Sequence, residues 1–303
     1  MTTSARATAA TAATSGDLGL PAPESLARGD FELVIRRLAD DLAFGSDASR
    51  LLGSGLEYAG SRPYVPGDSV RLLHWRLTAR TGRPFVREHE ALKRTCVHLV
   101  VDTSASMSTS STPRSKHDLA TWIASAVGLL ALRRLSPVAV VGAGERRVPH
   151  RPSLSRSDLL QSLEPLRARA TAGGESTRLG EAVRAVAARA ERASVILVLS
   201  DLHDPDAIPA IRRAAQRHDC AVIHLVDPAE ATPLRAGFLR GREPETGRTF
   251  LATSRTRLAD PEQARQELLR AGADVLRLAT DASFLPPLRH FLAARGSRRG
   301  GRR

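Results

Sequence analysis

The chain is short of lysine, cysteine, aromatic side chains and long apolar runs, and each shortage narrows what it can do. Only Lys93 and Lys116 are lysines among 45 basic residues, so arginine carries nearly all of the formal +13 charge. That arginine is spread thinly through the apparent helices. The only cluster is Arg295, Arg298, Arg299, Arg302 and Arg303, set among Gly and Ser, and it reads as a solvated disordered end rather than a tether for nucleic acid or an acidic partner. Nucleic-acid binders interleave basic residues with aromatic platforms for the bases. Aromatics are 4% of this chain, so a basic nucleic-acid-binding protein is an alternative supported by charge alone.

Two cysteines, Cys96 and Cys220, sit singly in apolar runs, which excludes a zinc or redox spacing and predicts buried, reduced thiols. The longest apolar run, 123–132, falls well short of the roughly 18 residues that a membrane crossing needs. No basic region followed by an apolar stretch opens the chain. These absences lead to the expectation of a cytoplasmic protein without a transmembrane segment.

What is present is a globular balance, with 42% hydrophobic residues in a chain of 303, enough for one large domain or two modest ones. Residues 1–29 are rich in Ala, Thr, Ser and Pro and predict a disordered tail, whereas apolar residues from Asp30 onward recur at helical spacings. A polar segment with scattered glycines, 45–82, follows. The first clear strand is Val97–Val101, a continuous apolar run of the kind covered on both faces in a parallel sheet. After it, helices near 117–134, 157–166, 179–192 and 206–217 alternate with strands at 138–141, 195–199 and 221–226. A hairpin at 237–253, a helix at 261–271, a strand at 275–278 and a helix at 284–294 complete the pattern. This rhythm predicts an α/β fold: a doubly wound, mainly parallel sheet flanked by helices. Ligands collect beyond the carboxyl ends of such strands, which draws attention to Asp102, Ser200, Asp201 and Asp227.

Asp102-Thr103-Ser104-Ala105-Ser106 follows the first strand directly and places one carboxylate and two hydroxyls two residues apart on a turn. Oxygen ligands of this kind suit a hard cation such as Mg²⁺. The loop 173–179 adds Thr177, and Asp201 closes a later strand. Alternatively, Ser104 and Ser106 are loop hydroxyls, Thr177 and Asp201 are helix caps, and Ser176 or Glu175 takes the place of Thr177. Three loops at one sheet edge supplying Asp, Ser, Ser, Thr and Asp resemble the von Willebrand factor A fold and its metal-ion-dependent adhesion site. The resemblance implies direct coordination of Mg²⁺, or of Mn²⁺ or Ca²⁺, by Ser104, Ser106 and Thr177. Asp102 and Asp201 would bind directly or through water, and a partner's acidic residue would complete the shell.

Upstream, Tyr64-x-Pro66-Gly67-Asp68-x-x-Arg71-x-x-His74-Trp75, followed by Thr78-Ala79-Arg80, is similar to the signature of a bacterial family known as domain of unknown function 58. Asp201-Leu202-His203-Asp204, Asp227-Pro228-Ala229-Glu230 and Glu245-Thr246-Gly247 fall at the family's relative positions, and the resemblance covers about residues 50–285. One departure is Leu135-Ser136-Pro137-Val138, which stands where Gly-Asp-Arg-Val is usual. Many members carry N-terminal membrane helices that this chain lacks. Genes of the family commonly neighbour those of MoxR-type AAA+ ATPases, which implies such an ATPase as partner.

The expected organisation is a tail (1–29), a family-specific segment packed on the sheet domain (30–94), the A-like domain (95–294) and a basic disordered tail (295–303). Within the segment, Arg62, Asp68, Arg71 and Arg80 can pair as a packing knot, or the surface with Tyr64 and Trp75 as aromatic anchors docks a partner. The function expected is a metal-dependent adaptor and no enzyme. A hydrolase using Asp102, Ser104 or His203 is a weaker alternative, because Gly-x-Ser-x-Gly, phosphate-loop and His-Glu-x-x-His motifs are absent.

Overall fold

Apolar residues three and four apart wind into helices with one buried face, and continuous apolar runs become strands buried on both faces. The computed structural model describes residues 20–43, 57–90, 95–146, 148, 151–170, 174–231, 238–242, 244–253 and 261–299. The expected tail segments 1–19 and 300–303 lie outside them. Helix α1 (Arg28–Ala43) buries Phe31, Ile35, Leu38 and Leu42. An antiparallel pair follows, β1 (Glu57–Pro63) and β2 (Phe85–Glu90), bridged by α2 (Trp75–Thr81). This pair occupies the polar stretch for which the sequence predicted no strand before Val97. Its sequence, Glu-Tyr-Ala-Gly-Ser-Arg-Pro and Phe-Val-Arg-Glu-His-Glu, carries no apolar alternation to mark it.

The chain then enters β3 (Val97–Val101), the short α3 (Ala105–Ser108) and α4 (Lys116–Arg133). Next come β4 (Val138–Gly142), α5 (Arg156–Arg167), α6 (Leu179–Arg189), β5 (Val195–Ser200), α7 (Ala207–Ala214) and β6 (Asp219–Val226). The rest is α8 (Pro228–Ala231), a hairpin of β7 (Phe238–Arg242) and β8 (Thr249–Thr253), α9 (Pro261–Arg270), β9 (Asp274–Ala279) and α10 (Leu285–Arg299).

Five parallel strands form the main sheet in the order β4-β3-β5-β6-β9. Alternation along each strand sorts the core. Val97, Leu99, Val101, Leu197 and Ile223 face the layer built from α1, α4, α5 and α10, whereas Val100, Ile196, Val198 and Val222 face α6, α7 and α9. This is the doubly wound architecture that the βα rhythm predicts. Strand order reverses between β3 and β5, so the crevice beyond their carboxyl ends is the switch point where ligands bind in open α/β sheets.

Helix α4 is buried along almost its whole length, which explains why small and polar residues alternate with Leu, Trp and Ile there. Its side chains meet α1 through Phe31 and Trp122, whose rings lie 5.2 Å apart. Residues 20–29, expected as tail, are ordered: Pro23 is buried and its carbonyl accepts from the Arg167 guanidinium. Arg295 likewise leaves the expected solvated tail, because it is buried and pairs with Asp219 and Asp274.

Helix α4 ends in a Schellman closure, with Ser136 N donating to Ala131 O and Leu135 N to Leu132 O. The closure needs a left-handed residue, and Leu135 takes φ 57° with its side chain exposed. That is the position where the sequence departs from a usual glycine. A left-handed L-residue costs roughly 1–2 kcal/mol, partly offset in glycine by unfolded-chain entropy. Leu135→Gly should therefore stabilise the fold by about 0.5–1 kcal/mol, read as a rise of a few degrees in Tm by calorimetry; an unchanged or lower Tm refutes it.

Candidate metal centre

Asp102 and Asp201 end neighbouring strands, β3 and β5, whose registers pair Val101 with Leu199. Both carboxylates are buried. Asp102 N donates to Leu199 O at 2.9 Å, so the turn leaves the sheet at a fixed point. Asp102 Oδ1 accepts from Ser104 N at 3.0 Å, while Oδ2 accepts from the Ser200 hydroxyl at 2.6 Å and the Thr177 hydroxyl at 3.4 Å. The Ser104 and Ser106 hydroxyl oxygens lie 3.0 Å apart, and Asp201 lies close enough for its charge to act on Asp102. The five residues singled out in the sequence thus meet at one place.

The cap alternatives do not describe this geometry. Ser104 and Arg178 occupy the N-cap positions of α3 and α6 without side-chain cap bonds, and Asp206 is the N-cap of α7. Neither Thr177 nor Asp201 caps a helix. Glu175 is committed elsewhere: it accepts from Arg146 Nε at 2.9 Å, from Glu145 N at 2.9 Å and from the Thr103 hydroxyl. Its own carbonyl accepts from Ala105 N at 2.9 Å, which fastens the Thr177 loop to the Asp102 loop.

Oxygens about 2.1 Å from an octahedral ion sit about 2.9 Å from one another, and the Ser104–Ser106 separation matches such an edge. Every donor is a hard oxygen. Burial first, then the nearby Asp201 charge, pushes the Asp102 pKa up to about 7. Asp201 behaves oppositely. Burial raises its pKa, but the charges of Lys116 and His203 outweigh that and hold it below the ordinary value.

Lys116 belongs to this cluster and is a residue that the sequence reading missed. Its ammonium is buried, 2.8 Å from Asp201 Oδ2, and it also donates to Glu230 at the start of α8. Asp201, His203 and Glu230 together place ligand atoms able to hold a metal ion. A signal was available. Lys116 is one of two lysines in an arginine-rich chain, and it stands at the first position of a helix, where a cation opposes the dipole. Asp227, at the end of β6, is a structural pin instead. It accepts from Ser111 N at 2.8 Å, Ala229 N at 2.9 Å and the Ser110 hydroxyl at 3.1 Å. Leu202, directly after Asp201, takes φ 60°, a strained conformation of the kind that clusters at functional sites.

The upstream signature residues lie on the β1–β2 unit. Arg62 grips Asp68 through two bonds of 2.7 Å, and Asp68 also accepts from Val65 N at 2.9 Å. The Arg62 bonds hold the Asp68 carboxyl below its ordinary pKa. Tyr64 is half-buried, while Arg71, Trp75 and Arg80 are exposed, Trp75 to 65%. Both cysteines are free; burial raises the Cys96 thiol pKa to about 11. Among the described residues no helix is long and apolar enough to cross a membrane.

A family model described as "Protein of unknown function DUF58" matches residues 60–274. Uncharacterized proteins of Mycobacterium tuberculosis (strain H37Rv) and Mycobacterium bovis are 29% identical to the chain over 92% of its length and 95% of theirs. The crystal structure of a Deinococcus radiodurans RO (RSR) protein aligns with 92% of this chain at 17% identity and a TM-score of 0.36, and the chain covers 51% of that protein's length.

The raised Asp102 pKa sets a pH dependence. The ion-free fold keeps a proton on Asp102 between about pH 4 and 7 that the unfolded chain has released, so this carboxylate costs stability progressively as pH rises through that window. In chelator-treated protein, Asp102→Asn should raise Tm by several degrees at pH 7.5 and leave it nearly unchanged at pH 4. Equal effects at both values in thermal denaturation would refute the assignment.

Proposed function

The chain belongs to the DUF58 family, and from that membership and the geometry of its Asp102 loop we propose that it is a metal-dependent protein-binding module, an adaptor rather than an enzyme. The observation that carries the reading is the meeting of Asp102, Ser104, Ser106, Thr177 and Asp201 at the switch point of the sheet. A bound Mg²⁺, or Mn²⁺ or Ca²⁺ in its place, would supply a Lewis-acidic position for a partner's Asp or Glu. Ser104, Ser106 and Thr177 would hold it with neutral oxygens, which leaves the ion more electrophilic than an all-carboxylate shell would. Asp102, fixed by Ser104 N and Ser200, would anchor the ion or its waters, and Asp201 would balance charge from the next strand.

The partner proposed is a MoxR-type AAA+ ATPase, with the β1–β2 unit as a second contact. An exposed Trp75 beside Arg71 and Arg80 is the combination of aromatic and arginine that dominates binding energy at interfaces. A hydrolase is less well supported. His203 faces Asp201, with Nδ1 3.3 Å from Oδ2, and Ser104 shares its hydroxyl with Ser106. Among the described residues, no histidine is hydrogen-bonded to either serine as a general base would need to be.

Calorimetric titration of Mg²⁺ and Mn²⁺ should give binding that Asp102→Ala abolishes. Capture of a MoxR-type ATPase from the same genome should succeed in Mg²⁺ and fall at least tenfold in EDTA. Trp75→Ala should weaken capture by a similar factor without altering ion binding. Equal recovery in Mg²⁺ and EDTA would remove metal gating from the function.

A further inference from the structure

Asp201 has two sides. One lies beside the Asp102 loop, at the end of the neighbouring strand, and the other meets Lys116, with His203 and Glu230 close by. The atoms of Asp201, His203 and Glu230 that could ligate an ion all lie within 4.8 Å of one another, yet a cation already stands there. The Lys116 ammonium, 0% exposed, donates to Asp201 Oδ2 at 2.8 Å and to Glu230. Glu230 is steadied by Asp227 N, 3.3 Å from its other oxygen.

We propose that Lys116 is a tethered cation that fills a second ion position beside the Asp102 loop, limiting the centre to one divalent ion and setting its charge. This rests on the reading of the Asp102 loop as an ion site. A purely structural role would not favour this residue. Lysine at a helix N-terminus opposes the dipole, and buried ion pairs are commonly replaced by apolar side chains without loss of stability. The charge count gives a functional reason. Asp102, Asp201 and Glu230 with Lys116 carry two net negative charges, which one divalent ion cancels. Without Lys116 a centre loaded with one ion would stay negative, and would repel an acidic ligand or draw in a second ion. A compact ammonium on a flexible stem can lie wholly buried between two carboxylates. A planar guanidinium, the residue this chain uses almost everywhere else, is bulkier and favours bidentate pairing.

The test is a calorimetric count of Mn²⁺ and Mg²⁺ bound by the full chain, with circular dichroism to confirm folding. Wild type should bind one ion. Lys116→Met should bind two, the first roughly tenfold more tightly because a neighbouring positive charge is gone, and Lys116→Met/Glu230→Gln should return to one. Two ions in wild type, or a single ion of unchanged affinity in Lys116→Met, overturns the proposal. If wild type binds none and Lys116→Met binds one that Glu230→Gln abolishes, the Lys116 assignment stands and the Asp102 reading fails. Folding of Lys116→Met only in divalent ion supports the proposal. If that variant never folds, wild type and Glu230→Gln decide: one ion in each supports it, and a second wild-type ion lost in Glu230→Gln overturns it.

Discussion

Two buried carboxylates emerging side by side from a parallel sheet are the constraint to which the rest of the carboxyl edge responds. Strand pairing leaves no choice about their proximity, because β3 and β5 are in register to Val101 and Leu199, directly before Asp102 and two residues before Asp201. A buried charge is tolerated only with partners. The chain answers in two ways. Asp102 is met by neutral donors, the Ser104 amide and the Ser200 and Thr177 hydroxyls, whereas Asp201 is met by a full charge from Lys116. The two aspartates accordingly move in opposite directions from their ordinary pKa, one up and one down. The asymmetry separates the two: Asp201 is paired with the charge of Lys116, and Asp102 is held by neutral donors.

The loops around this pair are held by bonds that have nothing to do with ligands. Glu175 ties Arg146, Glu145 and Thr103 together and so fixes the approach of the Thr177 loop. Gly144 is required there, since a methyl group at that position would overlap both the Glu175 carboxylate and the Thr103 hydroxyl. Asp227 fastens the 110–111 turn to the end of β6, and the Ser115 capping box starts α4 so that Lys116 points into the crevice. Preorganisation of this sort fixes the spacing of the loop oxygens, as a binding site needs.

How much of this was legible in the sequence depended on distance along the chain. The sheet strands announced themselves as apolar runs, and Asp102, Ser104 and Ser106 form a local pattern at a strand end, so the fold class and the first loop could be read directly. Thr177 and Asp201 needed the inference that parallel strands deliver their carboxyl ends to one edge. Lys116 could not be placed this way, because its partners Asp201 and Glu230 lie 85 and 114 residues away and a charge beside an apolar helix reads as a solvated terminus. Arg295 was missed for the same reason: composition suggested a tail, but Asp219 and Asp274 draw it into the structure. The β1–β2 pair escaped because its strands are polar, without the apolar alternation that periodicity reports.

That hairpin and the crevice differ in physical character, which bears on how an adaptor could use both. The crevice offers charge and a few rigid oxygens, able to discriminate sharply but with little area to bury. The β1–β2 unit is closed on itself by the Arg62–Asp68 pair, the Ser61–His74 bond and the backbone bonds from His74 to Phe85 and Tyr64 to Pro84, and it holds Trp75 outward at little conformational cost. An aromatic anchor of that size supplies binding area that an ion cannot, while an ion supplies a condition that an aromatic cannot. In the proposed adaptor, Trp75 therefore contributes affinity and the Asp102 site contributes both affinity and the switch, and the two are physically separable.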